Sequence, residues 1–215
     1  MLDGMETTST PLSGRRAQAA RNDLLILEAA REVFLADPGA PISAVAERAG
    51  VGISALYRRY ASKDELLQRL AGDGLRRYIA EVEAALADDG DPWSAFAGFM
   101  SRCVEAGSSS LTQRLSGSFT ATEELNREGY RASQLTQELI DRTKTSGGLR
   151  PDIEVGDLSL LFEQLQSVKV GDQDRTHRLQ HRYLSLLLEA LHSPSAPPLP
   201  GPPPTWQEIS GRYNG

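Results

Sequence analysis

The chain has 215 residues, 40% of them apolar and 24% charged, with a formal net charge of −6, which suits one or two folded domains with a sizeable core. No apolar run approaches the ~20 residues of a membrane span, and the opening MLDGMETTSTPLSGRR has no apolar signal core, so a soluble, cytoplasmic protein without a membrane partner is expected. Cys103 is the only cysteine, which excludes an internal disulfide and four-cysteine metal sites.

The charge is unevenly placed. From Leu12 through Lys63 there are 8 Lys or Arg against 5 Asp or Glu, whereas from position 64 onward 15 basic residues face 22 acidic ones. A polyanion partner is therefore expected at the basic end and nowhere else.

In chain order, residues 1–20 lack a period and read as a flexible arm whose Arg15 and Arg16, with Arg21 just beyond, either reach DNA or stay solvated. Ile26, Leu27, Ala30, Val33 and Phe34 have helical spacing, with Asn22 or Asp23 as the expected cap. Asp37, Pro38 and Gly39 end that helix. Ser43 is expected to cap a second, short helix carrying Val45, Ala46 and Ala49 on one side, and Gly50 suits a left-handed residue after its end. A third helix is predicted from Ile53 to Tyr60, with Leu56 and Tyr60 on one face. The run SKDE at Ser62–Glu65 matches a capping box, so a fourth helix is expected from Lys63 to about Ala87. Inside it, Gly72 and Gly74 signal either close packing, a break into two shorter helices, or a bend.

The rest also reads as helical. Trp93, Phe96, Ala97, Met100 and Val104 form a stripe, with Phe99 and Cys103 beside it, so this helix is expected to be buried. A short element is expected over Leu111–Phe119, then a long polar helix over Thr122–Lys144. After the loop TSGGLRPDIEVGD come helices at about Val155–Val170 and Asp174–His192; the last is apolar on two faces, one more than a core needs. From Ser193 the chain is proline-rich, and its end either docks through Trp206 and Ile209 or stays loose. The prediction is an all-α protein of about nine helices: an arm (1–20), a three-helix DNA-binding module (21–68), a helical domain (69–192) and a proline-rich tail (193–215).

Helix, glycine turn and a second helix bearing short residues and then cations make a helix-turn-helix. Small residues at Gly52, Ser54 and Ala55 let the helix start approach a major-groove floor, while longer donors reach the phosphates. The run ISAVAERAGVGISALYRRYASKDELL resembles the DNA-binding module of TetR-type (TetR/AcrR) bacterial transcriptional regulators, and the GGLRPDI loop before two final helices is similar too. The resemblance implies that Ser43, Tyr57 and Lys63 contact phosphates and that Arg59 stands where many members carry histidine or tyrosine. Three positions depart from the pattern: Gly52 replaces a capping serine or threonine, Ala55 a common threonine, and Arg58 a variable or aromatic residue. Arg58 is the first choice for reading guanine. Ser43, Gly52, Ile53, Ser54, Tyr57, Arg58, Arg59 and Lys63 form the candidate DNA-binding set.

A homodimer through the last two helices is expected, with Leu158, Leu161, Phe162, Leu165, Leu184, Leu187, Leu188 and Leu191 at the interface. The helix at Trp93–Val104 reads either as plain core or as the wall of an effector pocket, the candidate lining being Trp93, Phe96, Met100, Phe119 and Phe162. The function expected is a DNA-binding regulator, a repressor released from its operator by a small molecule; the alternative is a helical DNA-binding or interaction protein without an inducer. No enzyme, metal or cofactor is expected: there is no HExxH, phosphate loop or nucleophile elbow. His177 and His181, four apart among Arg175, Arg178 and Arg182, read as a solvated face.

Overall fold

The computed structural model describes residues 12–37, 39–106, 119–192 and 195–211. Among them the secondary structure is entirely helical: α1 (Leu12–Ala36), α2 (Ile42–Arg48), α3 (Ile53–Arg59), α4 (Lys63–Leu86), α5 (Pro92–Ala106), α6 (Glu123–Thr145), α7 (Val155–Ser167), α8 (Gln173–Leu191) and α9 (Trp206–Gly211). The chain forms two compact units that divide between Leu66 and Leu67, within α4. The element expected at Leu111–Phe119 lies outside the described residues except for Phe119, as do the side chains of Arg15, Arg16 and Trp206.

In the first unit the apolar positions at helical spacing turn inward: Ile26, Ala30 and Phe34 of α1, Ile42, Val45 and Ala46 of α2, and Leu56 of α3 with Tyr60 are all buried. Helix α1 begins at Leu12, ten residues before the expected cap. Residues 12–20 are therefore helical backbone where an unstructured arm is expected, and Asp23 is freed from capping. Helix α2 also starts early. Its N-cap is Pro41, with φ −71° and ψ 151°, values that the proline ring favours, so Ser43 is the second helical residue and caps nothing.

In the second unit, Val82, Phe96, Phe99, Met100, Cys103, Leu139, Ile140, Leu158, Phe162, Leu165 and Leu184 share one apolar core. Helix α4 is continuous through Gly72 and Gly74; a Cβ at Gly72 would lie 3.3 Å from both Arg76 Nη1 and Leu125 Cδ2, so close packing accounts for Gly72, and the two shorter helices are absent. Arg142 donates to the carbonyls of Leu86 (2.8 Å) and Asp88 at the C-terminal end of α4, satisfying groups a helix end leaves bare. Thr122 caps α6 by accepting from the Leu125 amide at 3.2 Å, and Asp172 caps α8 through the Arg175 amide at 2.7 Å.

The proline-rich tail docks on the same unit. Arg150 holds Asp152 through two bonds of 2.6 and 3.0 Å and donates to the Pro197 carbonyl at 2.8 Å, while Asp152 accepts from the Leu199 amide at 2.7 Å. Ile209 of α9 is buried. At Gly156 in α7 a Cβ would come within 2.1 Å of the Pro204 carbonyl oxygen, so the tail lies where only glycine leaves room.

Candidate nucleic-acid interface

The turn between α2 and α3 is built from backbone bonds that glycine permits. Gly50 has φ 66°, the left-handed region a side chain disfavours. Its amide donates to the Glu47 carbonyl (3.1 Å), and that of Val51 to Ala46 (3.0 Å), the pair that defines a Schellman stop. Gly52 follows as an extended N-cap (φ −66°, ψ 139°) with no side-chain cap bond; its carbonyl accepts from Ala55 and Leu56 at 2.8 and 3.1 Å.

Helix α3 then divides cleanly between inside and outside. Leu56 is fully buried and Tyr60, just past its end, nearly so. Ile53, Ser54, Tyr57 and Arg58, at i, i+1, i+4 and i+5, all face solvent, and Tyr57 is 48% exposed. Ile53 and Tyr57, like Ser54 and Arg58, are four apart and so share a side of the helix, and the two adjacent pairs make one exposed surface with an aliphatic, a hydroxyl, a phenol and a guanidinium. Ser43 is exposed as well.

Two expected DNA contacts are occupied inside the protein. Arg59 donates from Nε and Nη2 to the two oxygens of Asp23, both at 2.8 Å, and Tyr60 Oη donates to Asp23 Oδ1 at 2.6 Å. Asp23 is thus a clamp joining α1 to the end of α3, and the Arg59 guanidinium also lies 5.2 Å from the Tyr60 ring centroid. Lys63 is half-buried; its Nζ donates to the Ala40 carbonyl at 2.8 Å and sits 5.1 Å from the Phe34 ring centroid. The capping box is real but shifted: Glu65 N–H donates to Ser62 Oγ at 3.1 Å, and the Glu65 carboxylate accepts from Ala61 at 2.7 Å. The sequence reading missed Asp23, whose partners stand 36 and 37 positions away.

The second unit carries both remaining sets. Of the candidate pocket residues, Phe96, Met100 and Phe162 are fully buried core, Trp93 is half-buried and stacks on His192 at 4.3 Å between centroids, and Phe119 is half-buried. Within this core Tyr78 meets Phe99 and Phe162 edge-on at 5.5 and 6.4 Å, and its hydroxyl bonds Thr136 Oγ1 at 2.9 Å. Burial pushes the Tyr78 phenol and the Cys103 thiol well above their ordinary values, so both stay protonated and the thiol is inert. An open surface groove of about 550 Å³ runs along Gln134, Gln137, Glu138, Asp141, Arg142 and Thr145 of α6. Of the expected dimer residues, Leu158, Phe162, Leu165, Leu184 and Leu191 are at most 4% exposed within one subunit, and Leu161, Leu187 and Leu188 pack partly against the same core. The first five thus spend their apolar surface within the subunit, while Leu161, Leu187 and Leu188 keep part of theirs open. The open side of α8 carries Tyr183 and Leu186, 46% and 54% exposed. His177 and His181 are half-buried, with Nε2 atoms 3.2 Å apart, on a face whose Arg175, Arg178 and Arg182 are exposed.

Two family models match the sequence: "Bacterial regulatory proteins, tetR family" over residues 26–70, and "Transcriptional regulator SbtR-like, C-terminal domain" over residues 91–193. No curated protein matches it. Among solved structures, a TetR transcription regulatory protein from Mycobacterium vanbaalenii is 26% identical, with 82% of this chain and 98% of that one covered and a TM-score of 0.53. The TetR-like regulator LfrR from Mycobacterium smegmatis, in complex with proflavine, is 22% identical over 77% of this chain and 95% of its own, with a TM-score of 0.60. SCO0520 from Streptomyces coelicolor is 22% identical over 81% and 99%, with a TM-score of 0.56. Helix-turn-helix geometry and both matched segments agree: the chain belongs to the TetR family of DNA-binding bacterial transcriptional regulators.

Proposed function

We propose that the protein is a cytoplasmic, homodimeric repressor that reads an operator through the exposed stripe of α3 and leaves it when a small molecule binds the second unit. The observation that carries this reading is the division of α3, with Leu56 and Tyr60 inward and Ile53, Ser54, Tyr57 and Arg58 outward. A helix of this width fits a major groove, and an arginine there pairs bidentately with guanine for about 1–3 kcal/mol of discrimination. Tyr57 and Ser43 supply phosphate contacts that fix register. Lys63 adds charge from a fixed position, and Arg59 pairs with Asp23, the clamp that orients the helix.

Exposed Tyr183 and Leu186 on α8, next to Leu187 and Ala190, support a self-complementary dimer face. The aromatic surroundings of Tyr78, with one hydroxyl pair inside an apolar core, support an apolar or aromatic effector; the complex of LfrR with proflavine is a parallel in another protein of this fold. Such an effector acts by preferring one conformation of the dimer, with a coupling of about 1–3 kcal/mol.

The test is selection of bound sequences from random duplex DNA, followed by binding of the selected site to Arg58→Ala and Tyr57→Ala. Arg58→Ala is expected to relax preference at one base position per half-site, and Tyr57→Ala to weaken all sequences alike. Wild-type affinity and selectivity in both variants would refute the reading.

A further inference from the structure

We propose that His177 and His181 bind a divalent transition-metal ion through their two Nε2 atoms, a site in the second unit that stands independently of the repressor reading. The residues lie one turn apart on α8, where side chains four apart are neighbours. Their Nε2 atoms are 3.2 Å apart, with ring centroids at 4.6 Å and planes at 68°. Two Nε2–H groups cannot face each other at that distance, so at least one ring presents a lone pair to the other.

That separation is also the span two imidazoles make on one ion. With metal–nitrogen bonds of ~2.0–2.1 Å, the nitrogens sit ~2.9 Å apart at a right angle and ~3.4 Å apart at a tetrahedral one. The helix has therefore set the bite already. Only rotation about each χ2 remains, a soft torsion in histidine, to aim both lone pairs at an ion beside the line between them.

The surroundings decide which ion. Positions 177, 181, 184 and 188 follow one side of α8, along which Leu184 is buried and Leu188 partly buried, so the pair stands where the core stripe meets solvent. Among the described residues no third His, Cys, Asp or Glu joins it, which leaves the remaining positions to water. A donor set of imidazoles without carboxylates favours Cu²⁺, Ni²⁺ or Zn²⁺ over Mg²⁺ or Ca²⁺. Arg175, Arg178 and Arg182 flank the pair in sequence but are exposed, as are Asp172 and Asp174 of opposite sign, and salt screens such charges. Other soft ligands are engaged elsewhere: Cys103 is buried, and His192 contacts the Gly148 carbonyl through Nδ1 at 2.6 Å.

The experiment uses the full chain, stripped with a chelator and titrated with Ni²⁺ by calorimetry at neutral pH, with Cu²⁺ paramagnetic resonance to count nitrogen ligands. One ion per chain is expected, with two coordinated nitrogens. His177→Gln and His181→Gln are each expected to weaken Ni²⁺ binding roughly tenfold or more and to leave a single nitrogen on Cu²⁺, while His192→Gln changes neither. Absence of Ni²⁺ binding by the wild-type chain, or a smaller loss in either single variant, overturns the proposal. If a variant fails to fold, diethyl pyrocarbonate labelling of the wild-type chain decides: Ni²⁺ protects His177 and His181 together, or the proposal falls.

Discussion

Replacing Asp23 with alanine removes its three hydrogen bonds to Arg59 and Tyr60 at once, and the structure indicates which of them matters. The Asp23 side chain is 15% exposed, whereas that of Arg59 is 52% exposed, so water replaces the carboxylate around the guanidinium, and that pair contributes only about 0.2–1 kcal/mol. Tyr60 is 2% exposed, and its hydroxyl donates to a charged acceptor at 2.6 Å; hydrogen bonds to ions contribute about 1.5–3 kcal/mol. Asp23→Ala is therefore expected to cost about 2–4 kcal/mol in urea denaturation, most of it through Tyr60. A double-mutant cycle separates the parts: Asp23→Ala with Tyr60→Phe should show a larger coupling than Asp23→Ala with Arg59→Ala. Additivity of Asp23→Ala and Tyr60→Phe within about 0.5 kcal/mol would refute the assignment of Asp23 as the clamp.

Gly50→Ala forces a side chain into φ 66° and is expected to cost about 1–2 kcal/mol by chemical denaturation. Gly156→Ala places a carbon against the Pro204 carbonyl; it should cost about 1–3 kcal/mol and speed proteolysis of the tail while leaving affinity for the selected DNA intact. The Arg150 guanidinium, with the Leu199 amide, holds the Asp152 carboxyl well below the usual range. A carboxylate with a depressed folded pKa stabilises fully above its unfolded value, near ~4, and loses that contribution as pH falls. Acid melts should therefore show Asp152→Asn closing its stability gap to the wild-type chain below that pH.

The turn at Gly50 was legible because its chemistry is local: a left-handed residue after a short helix calls for glycine, and the bonds that use it span only a few positions. Leu56 and Tyr60 were legible for the same reason, since four residues along a helix fix a shared face. Asp23 was not. An aspartate ahead of an apolar periodic run reads as a cap, and nothing nearby reveals a partner 36 positions on. Ser43 misled because Pro41 ends the extended segment first. The leucines of α8 were legible only as a pattern: with apolar residues on two faces of α8, periodicity shows that two faces exist but not which one the subunit's own core takes. Burial answers that, with Leu184 and Leu191 inward and Tyr183 and Leu186 left open.

The close approach of Pro204 to Gly156 ties the fate of two distant positions together. While the chain beyond His192 lies across α7, every substitution at 156 is penalised; once that extension is deleted, alanine there becomes harmless and favours the helical backbone over glycine. The same change of residue thus carries opposite sign in long and trimmed versions of the protein, and the order in which the two alterations arise decides whether the intermediate survives.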